Sequence, residues 1–146
     1  MTYSAKTKII AITFIVLSLI GFLDAAYLTI DHYLGSVPPC AIAGCEIVLT
    51  SGQSAIIGIP VALLGSIYYL IILILSIVFL ESGKRAIIRF ASFLTIIGLV
   101  ASAYFIYLQF FVIGQICQYC MISAGTSTTL FVAGIYTFRR AKENKS

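Results

Sequence analysis

Four stretches of the sequence, residues 9–30, 60–80, 86–110 and 117–138, are almost free of charge. Each is close to the roughly 20 residues that a helix needs to cross the hydrocarbon of a bilayer. All four are apolar on every side rather than along one stripe, so a helical bundle in water is excluded. The composition agrees, with 61% of the 146 residues hydrophobic and 10% charged, where a soluble domain keeps about a quarter charged. The expected fold class is therefore all-α and integral to a membrane: one domain, a four-transmembrane-helix bundle over residues 1–146.

The first stretch begins like a signal peptide, with Lys6 and Lys8 ahead of an apolar run. No small-x-small cleavage site follows, and the run continues through Tyr27-Leu28-Thr29-Ile30, so it reads as a retained first helix. Orientation comes from the nine basic residues. Lys6 and Lys8 precede helix one, and Lys84, Arg85 and Arg89 flank the middle connection. Arg139, Arg140, Lys142 and Lys145 follow helix four. The positive-inside rule then places both termini, the tail 139–146 and the middle connection in the cytoplasm. The chain is expected in the cell membrane as a multi-pass protein. Its basic residues are topology signals, which leaves nothing for nucleic acid to bind.

The two remaining connections face outward and, counting the pair at the mouth of helix four, hold all four cysteines. The first, residues 31–59, is long enough to imply a function. After the turn-rich approach Gly35-Ser36-Val37-Pro38-Pro39 comes Cys40, and Cys45 to Thr50 reads as a short interfacial helix with Glu46 on its N-terminal dipole. Gly52 is expected to end that helix. Gly58-Ile59-Pro60 reads as a turn, with Pro60 at the first position of helix two. Small residues such as Gly65, Gly98, Gly125 and Gly134 read as helix-packing positions. Asp24 is the exception inside helix one, because an acid in an apolar segment is costly and points to function. A proton relay is one reading for it and a neutral or hydrogen-bonded acid near the outer interface the other. His32 is expected at the surface.

The cysteines fall into two pairs, C-x4-C at Cys40 and Cys45 and C-x-x-C at Cys117 and Cys120. Three disulfide connectivities are open. Two thiols three apart at a helix start share a face, and the first lies against the positive end of the helix dipole, which lowers its pKa. A zinc site is disfavoured because a C-x-x-C at the membrane edge leaves little loop to wrap a metal. Structural staples are disfavoured because so short a loop removes little unfolded-chain entropy. Redox activity is the preferred reading. The alternative is a non-catalytic membrane protein, a transport or assembly subunit, with structural disulfides.

Cys40, then Gly44-Cys45-Glu46-Ile47-Val48-Leu49, Ser51, Gly58-Ile59-Pro60-Val61-Ala62, Gly65 and Cys117-Gln118-Tyr119-Cys120 together resemble the vitamin K epoxide reductase family, its microbial members above all. The order of the cysteine pairs is the specific part, since in the DsbB oxidases the C-x-x-C comes in the first outer loop. The resemblance implies a thiol:quinone oxidoreductase, a four-helix bundle around a quinone of the ubiquinone or menaquinone type, without a metal. Cys40 and Cys45 would be the shuttle pair that accepts electrons from a thioredoxin-like, DsbA-like protein outside the cytoplasm. Cys117 and Cys120 would be the pair beside the quinone, with Cys120 facing the ring. Many microbial members carry a fused thioredoxin-like domain; the sequence ends at Ser146 without one, so a separate partner is expected. Animal members place Asn and Tyr against the quinone where this sequence has Ser54 and Ala124, which favours an ordinary respiratory quinone over vitamin K epoxide. The expected pocket takes in Ser54, Ile57, Pro60, Leu108, Phe111 and Ala124.

Overall fold

A computed structural model describes residues 5–39, 41, 43–52 and 55–143, apart from the side chains of residues 141 and 142. Four helices in it are long and apolar enough to cross a membrane. They are α1 (Ala5–Leu34), α3 (Val61–Ser82), α4 (Arg85–Tyr107, continued by a π-helical segment Leu108–Ile113) and α5 (Gln118–Glu143). The connection after α1 holds the short α2 (Cys45–Leu49) and a two-stranded hairpin, β1 (Ala55–Ile56) with β2 (Ile59–Pro60). α1 packs against α3 and α5, and α4 against α3 and α5, so the helices close into a ring. This is the expected four-helix bundle.

The helices run past the apolar stretches. α1 adds one turn at each end, Ala5 to Lys8 and Asp31 to Leu34, because hydropathy marks where hydrocarbon is and not where backbone hydrogen bonding stops. At 30 residues α1 is about 45 Å long, more than the roughly 30 Å of a hydrocarbon core, so it is tilted or protrudes. α5 begins at Gln118, one residue later than expected, and α3 at Val61. Pro60 precedes α3 as its cap and pairs with Ala55 instead of starting the helix.

The expected turn at 58–60 is half of a hairpin in which Ala55 faces Pro60 and Ile56 faces Ile59. Its two-residue loop has Ile57 at φ 53° and Gly58 at φ 78°, the positive values that a tight hairpin needs. A β-branched residue there costs about 1–3 kcal/mol, and this is why the sequence does not announce the turn. α2 stops at Leu49, ahead of Gly52: Thr50 caps it with φ −100°, ψ 2°, its N–H (3.0 Å) and hydroxyl (2.7 Å) both on the Glu46 carbonyl.

The membrane core centres on Phe14, Ala25, Tyr69, Ile72, Ala91 and Leu130. Small polar residues are buried in it too. Ser18, Thr29, Ser66, Ser76, Ser92, Thr95, Thr126 and Thr137 each donate a hydroxyl to a carbonyl three or four residues back in the same helix. Satisfied in this way, they pack as compactly as alanines and let the helices approach. Among the expected packing glycines, Gly98 and Gly134 sit at close approaches, whereas Gly125 has no side chain near it. Among the described buried serines and threonines, Ser127 alone does not bond back: its Oγ has no partner.

Candidate active site

A second, smaller buried cluster lies at the end of the bundle opposite the basic residues: Cys45, Val48 and Cys117, flanked by Leu49, Ile113, Tyr119 and Cys120. Cys45 opens α2. Its neighbour Gly44 has φ 94°, and a Cβ there would collide with the Gln115 side chain. Only glycine combines that backbone with that contact. The turn delivers Cys45 to the start of α5 from the side.

Cys117 is fully buried and sits one residue ahead of α5. Its N–H donates to Gln109 Oε1 at 2.8 Å. Gln109 can reach because the wider π-helical turn buries Leu108 and Gln109 side by side. A polar residue in an apolar run was the available signal, and the sequence reading passed over it.

Cys45 is disulfide-bonded, and Cys117 and Cys120 are free thiols. The Cys117 thiol donates to Cys45 Sγ at 3.3 Å, within the roughly 3–3.5 Å of a near-attack contact. Cys40 lies outside the described residues, as does Ser54. The C-x-x-C is thus in its dithiol form while Cys45 is oxidised.

The Cys117 thiol is lowered from its ordinary value to about 7. The largest cause is a hydrogen bond from the Cys120 side chain, with backbone N–H groups of Cys120 and Tyr119 adding to it, while burial and the Asp24 charge oppose. A lowered pKa means thiol below about pH 7 and thiolate above it. Thiolate absorbance at 240 nm, with Cys117→Ser as the blank, is expected to rise with a midpoint near 7. Replacing Cys120 by alanine removes the main cause, and the midpoint should move up towards that of an ordinary thiol.

Cys120 lines a cavity of about 510 Å³ between the helices, a size suited to a small-molecule ligand. Of the expected pocket residues, Pro60, Leu108 and Ala124 line it as well. Ile57 and Phe111 do not: they are 96% and 77% exposed, Ile57 at the hairpin tip and Phe111 on the outer side of the π-helical segment. Sequence position put them at the right level of the bundle, but the side chains point away. The exposed His32 also touches the cavity.

The lining is apolar except at a few places. Asp24 lines it, with Oδ2 buried and unpartnered. Tyr69 donates to the Ser123 carbonyl at 2.7 Å and contacts its hydroxyl at 3.0 Å. The Tyr68 hydroxyl and Ser127 Oγ are also buried without a hydrogen-bond partner, both against Gly98, where a Cβ would strike them. Unsatisfied buried polar groups are costly. Donors left open in an apolar cavity fit a flat, apolar head group carrying two carbonyl oxygens, which is what a quinone is. Tyr68 and Ser127 carried no sequence signal, since tyrosine and serine are common elsewhere in these helices.

Fold and sulfur arrangement thus define a four-helix membrane protein with two cysteine pairs converging at one end. Comparison with known proteins takes this further: residues 12–135 match the Vitamin K epoxide reductase family, and the chain belongs to that family. A relative, "Thiol-disulfide oxidoreductase LTO1" of Arabidopsis thaliana, is 36% identical over 122 residues, covering 77% of this chain. The matched region is 32% of that protein, so the chain corresponds to about a third of its length.

Proposed function

We propose that the chain is a membrane thiol:quinone oxidoreductase that draws electrons from a thioredoxin-like partner outside the cytoplasm and so supports disulfide formation. The observation that carries this reading is the 3.3 Å contact of Cys45 and Cys117, with Cys120 next in line on the cavity wall. Sidedness rests on the basic residues, which lie at the other end of the bundle in the element order.

A reduced partner attacks the Cys40–Cys45 disulfide and leaves as a disulfide, and the shuttle pair becomes a dithiol. One shuttle thiolate attacks Cys117 of the Cys117–Cys120 disulfide. That S–S bond breaks, Cys120 departs as a thiolate, and a mixed disulfide forms. The second shuttle thiolate then attacks it and releases Cys117, whose low pKa makes it a good leaving group. Two electrons have moved, and the chain stands in the state described above. A quinone bound in the cavity would accept two electrons and two protons. Tyr68 and Ser127 would hold a carbonyl oxygen, and Asp24 would supply a proton from its unpartnered carboxyl.

Purified protein, a reduced thioredoxin-like partner and a quinone test the route by the change in quinone absorbance. Cys45→Ser should stop the partner-driven rate, while a small dithiol that reaches the C-x-x-C directly still drives turnover. Undiminished partner-driven turnover in Cys45→Ser would exclude the shuttle.

A further inference from the structure

The two residues between the sulfurs of the C-x-x-C do more than space them. Gln118 Oε1 accepts the Ala41 N–H at 2.9 Å, and the Tyr119 hydroxyl donates to the Pro39 carbonyl at 2.6 Å. Ala41 and Pro39 are the neighbours of Cys40 on either side. A third tie lies next to these, where the Gln115 side chain covers Gly44, the residue ahead of Cys45. The Tyr119 ring is braced in turn by Tyr27 of α1, with centroids 6.0 Å apart. So residues 115–119 grip the loop at three places around its two cysteines, and none of these contacts is made by sulfur.

Both hydrogen bonds are exposed, and an exposed bond is weak enough to break and remake. That suits a loop with two duties. It has to sit on Cys117 to pass electrons inward, and it has to lift to meet a partner protein. A permanent strap would prevent the second, and a free loop of this length would seldom find the first.

We propose that Gln118 and Tyr119 are positioning residues that form a reversible latch, holding the Cys40–Cys45 loop over Cys117 between visits of the partner. The latch rests on the shuttle reading above. It makes a prediction that simple structural support does not: loosening it moves two rates in opposite directions. Internal exchange between Cys45 and Cys117 slows, while attack on the loop disulfide by an external thiol quickens.

The test uses the full chain in detergent with Cys120→Ser, so that exchange stops at the mixed disulfide. In that background the Cys117 thiolate attacks Cys45, an S–S bond forms between them, and the sulfur previously paired with Cys45 leaves as a thiolate. No outside oxidant is needed. Acid quenching and mass spectrometry follow the Cys45–Cys117 species. Reduced glutathione, added to the chain with Cys117 also replaced by serine, reports external attack. Tyr119→Phe and Gln118→Met should each slow the first process about fivefold and speed the second by a similar factor, as for loss of one hydrogen bond. Gln118→Glu, which keeps the acceptor, should restore both. Unchanged rates in the Tyr119→Phe, Gln118→Met double variant would overturn the latch, as would both rates falling with the melting temperature. Failure to form any Cys45–Cys117 species with Gln118 and Tyr119 intact would instead overturn the shuttle reading itself.

Discussion

Replacing Cys120 by serine is expected to reduce quinone turnover to background and to leave the loop sulfur caught on Cys117. The reasoning is one of sulfur bookkeeping. Cys117 is fully buried in the sulfur cluster and is not among the cavity-lining residues, whereas Cys120 is. Electrons that arrive at Cys117 can leave only if a second thiol closes a disulfide with it, and Cys120 is the one adjacent. A serine hydroxyl keeps the size but forms no S–S bond. The Cys45–Cys117 contact of 3.3 Å is unaffected by this change, so the mixed disulfide should accumulate and be visible on a non-reducing gel after alkylation. Full turnover in Cys120→Ser would remove this thiol from the electron path.

Asp24→Asn is expected to slow quinone reduction about a hundredfold, the low end for loss of a positioned acid. Among the acidic residues Asp24 is the one on the cavity wall, and its Oδ2 is buried with no partner. An asparagine is nearly the same shape but has no proton to give. Exchange between Cys45 and Cys117, measured in the Cys120→Ser background, involves no quinone and should persist. Stopped-flow reduction of a quinone by the pre-reduced chain would separate the two steps. An unchanged rate would assign Asp24 to structure alone.

Much of this was legible in the sequence, and for definite reasons. The four spans follow from runs such as Pro60 to Leu80, where nothing but hydrocarbon could match the side chains. The meeting of the outer loop with the C-x-x-C was foreshadowed by the placing of the two cysteine pairs at one membrane edge, and Cys45 and Cys117 do come together there. Side-chain direction was not legible. Ile57 and Phe111 stand at the level of the cavity, yet one occupies a left-handed turn and the other the outer side of a π-helical segment. Both of these depend on backbone choices that no periodicity records. Gln109, Tyr68 and Ser127 were missed for a related reason. Their importance lies in what they bond or fail to bond, and hydroxyls in this bundle usually satisfy themselves on their own helix. Ser127 becomes noticeable only after its neighbours are seen to do so.

The π-helical segment Leu108–Ile113 has a mechanical consequence for how such a chain can change over time. An α-helix carried straight through would tie the angle of Gln109 to that of Ile88, Ala91 and Thr95 far below, since each residue turns the next by a fixed step. The wide turn is a slip in phase that breaks the tie. The lower part of α4 can keep its fit to α5 while the upper part is re-aimed, so substitutions that retune the sulfur centre need not be matched by repacking in the middle of the bilayer.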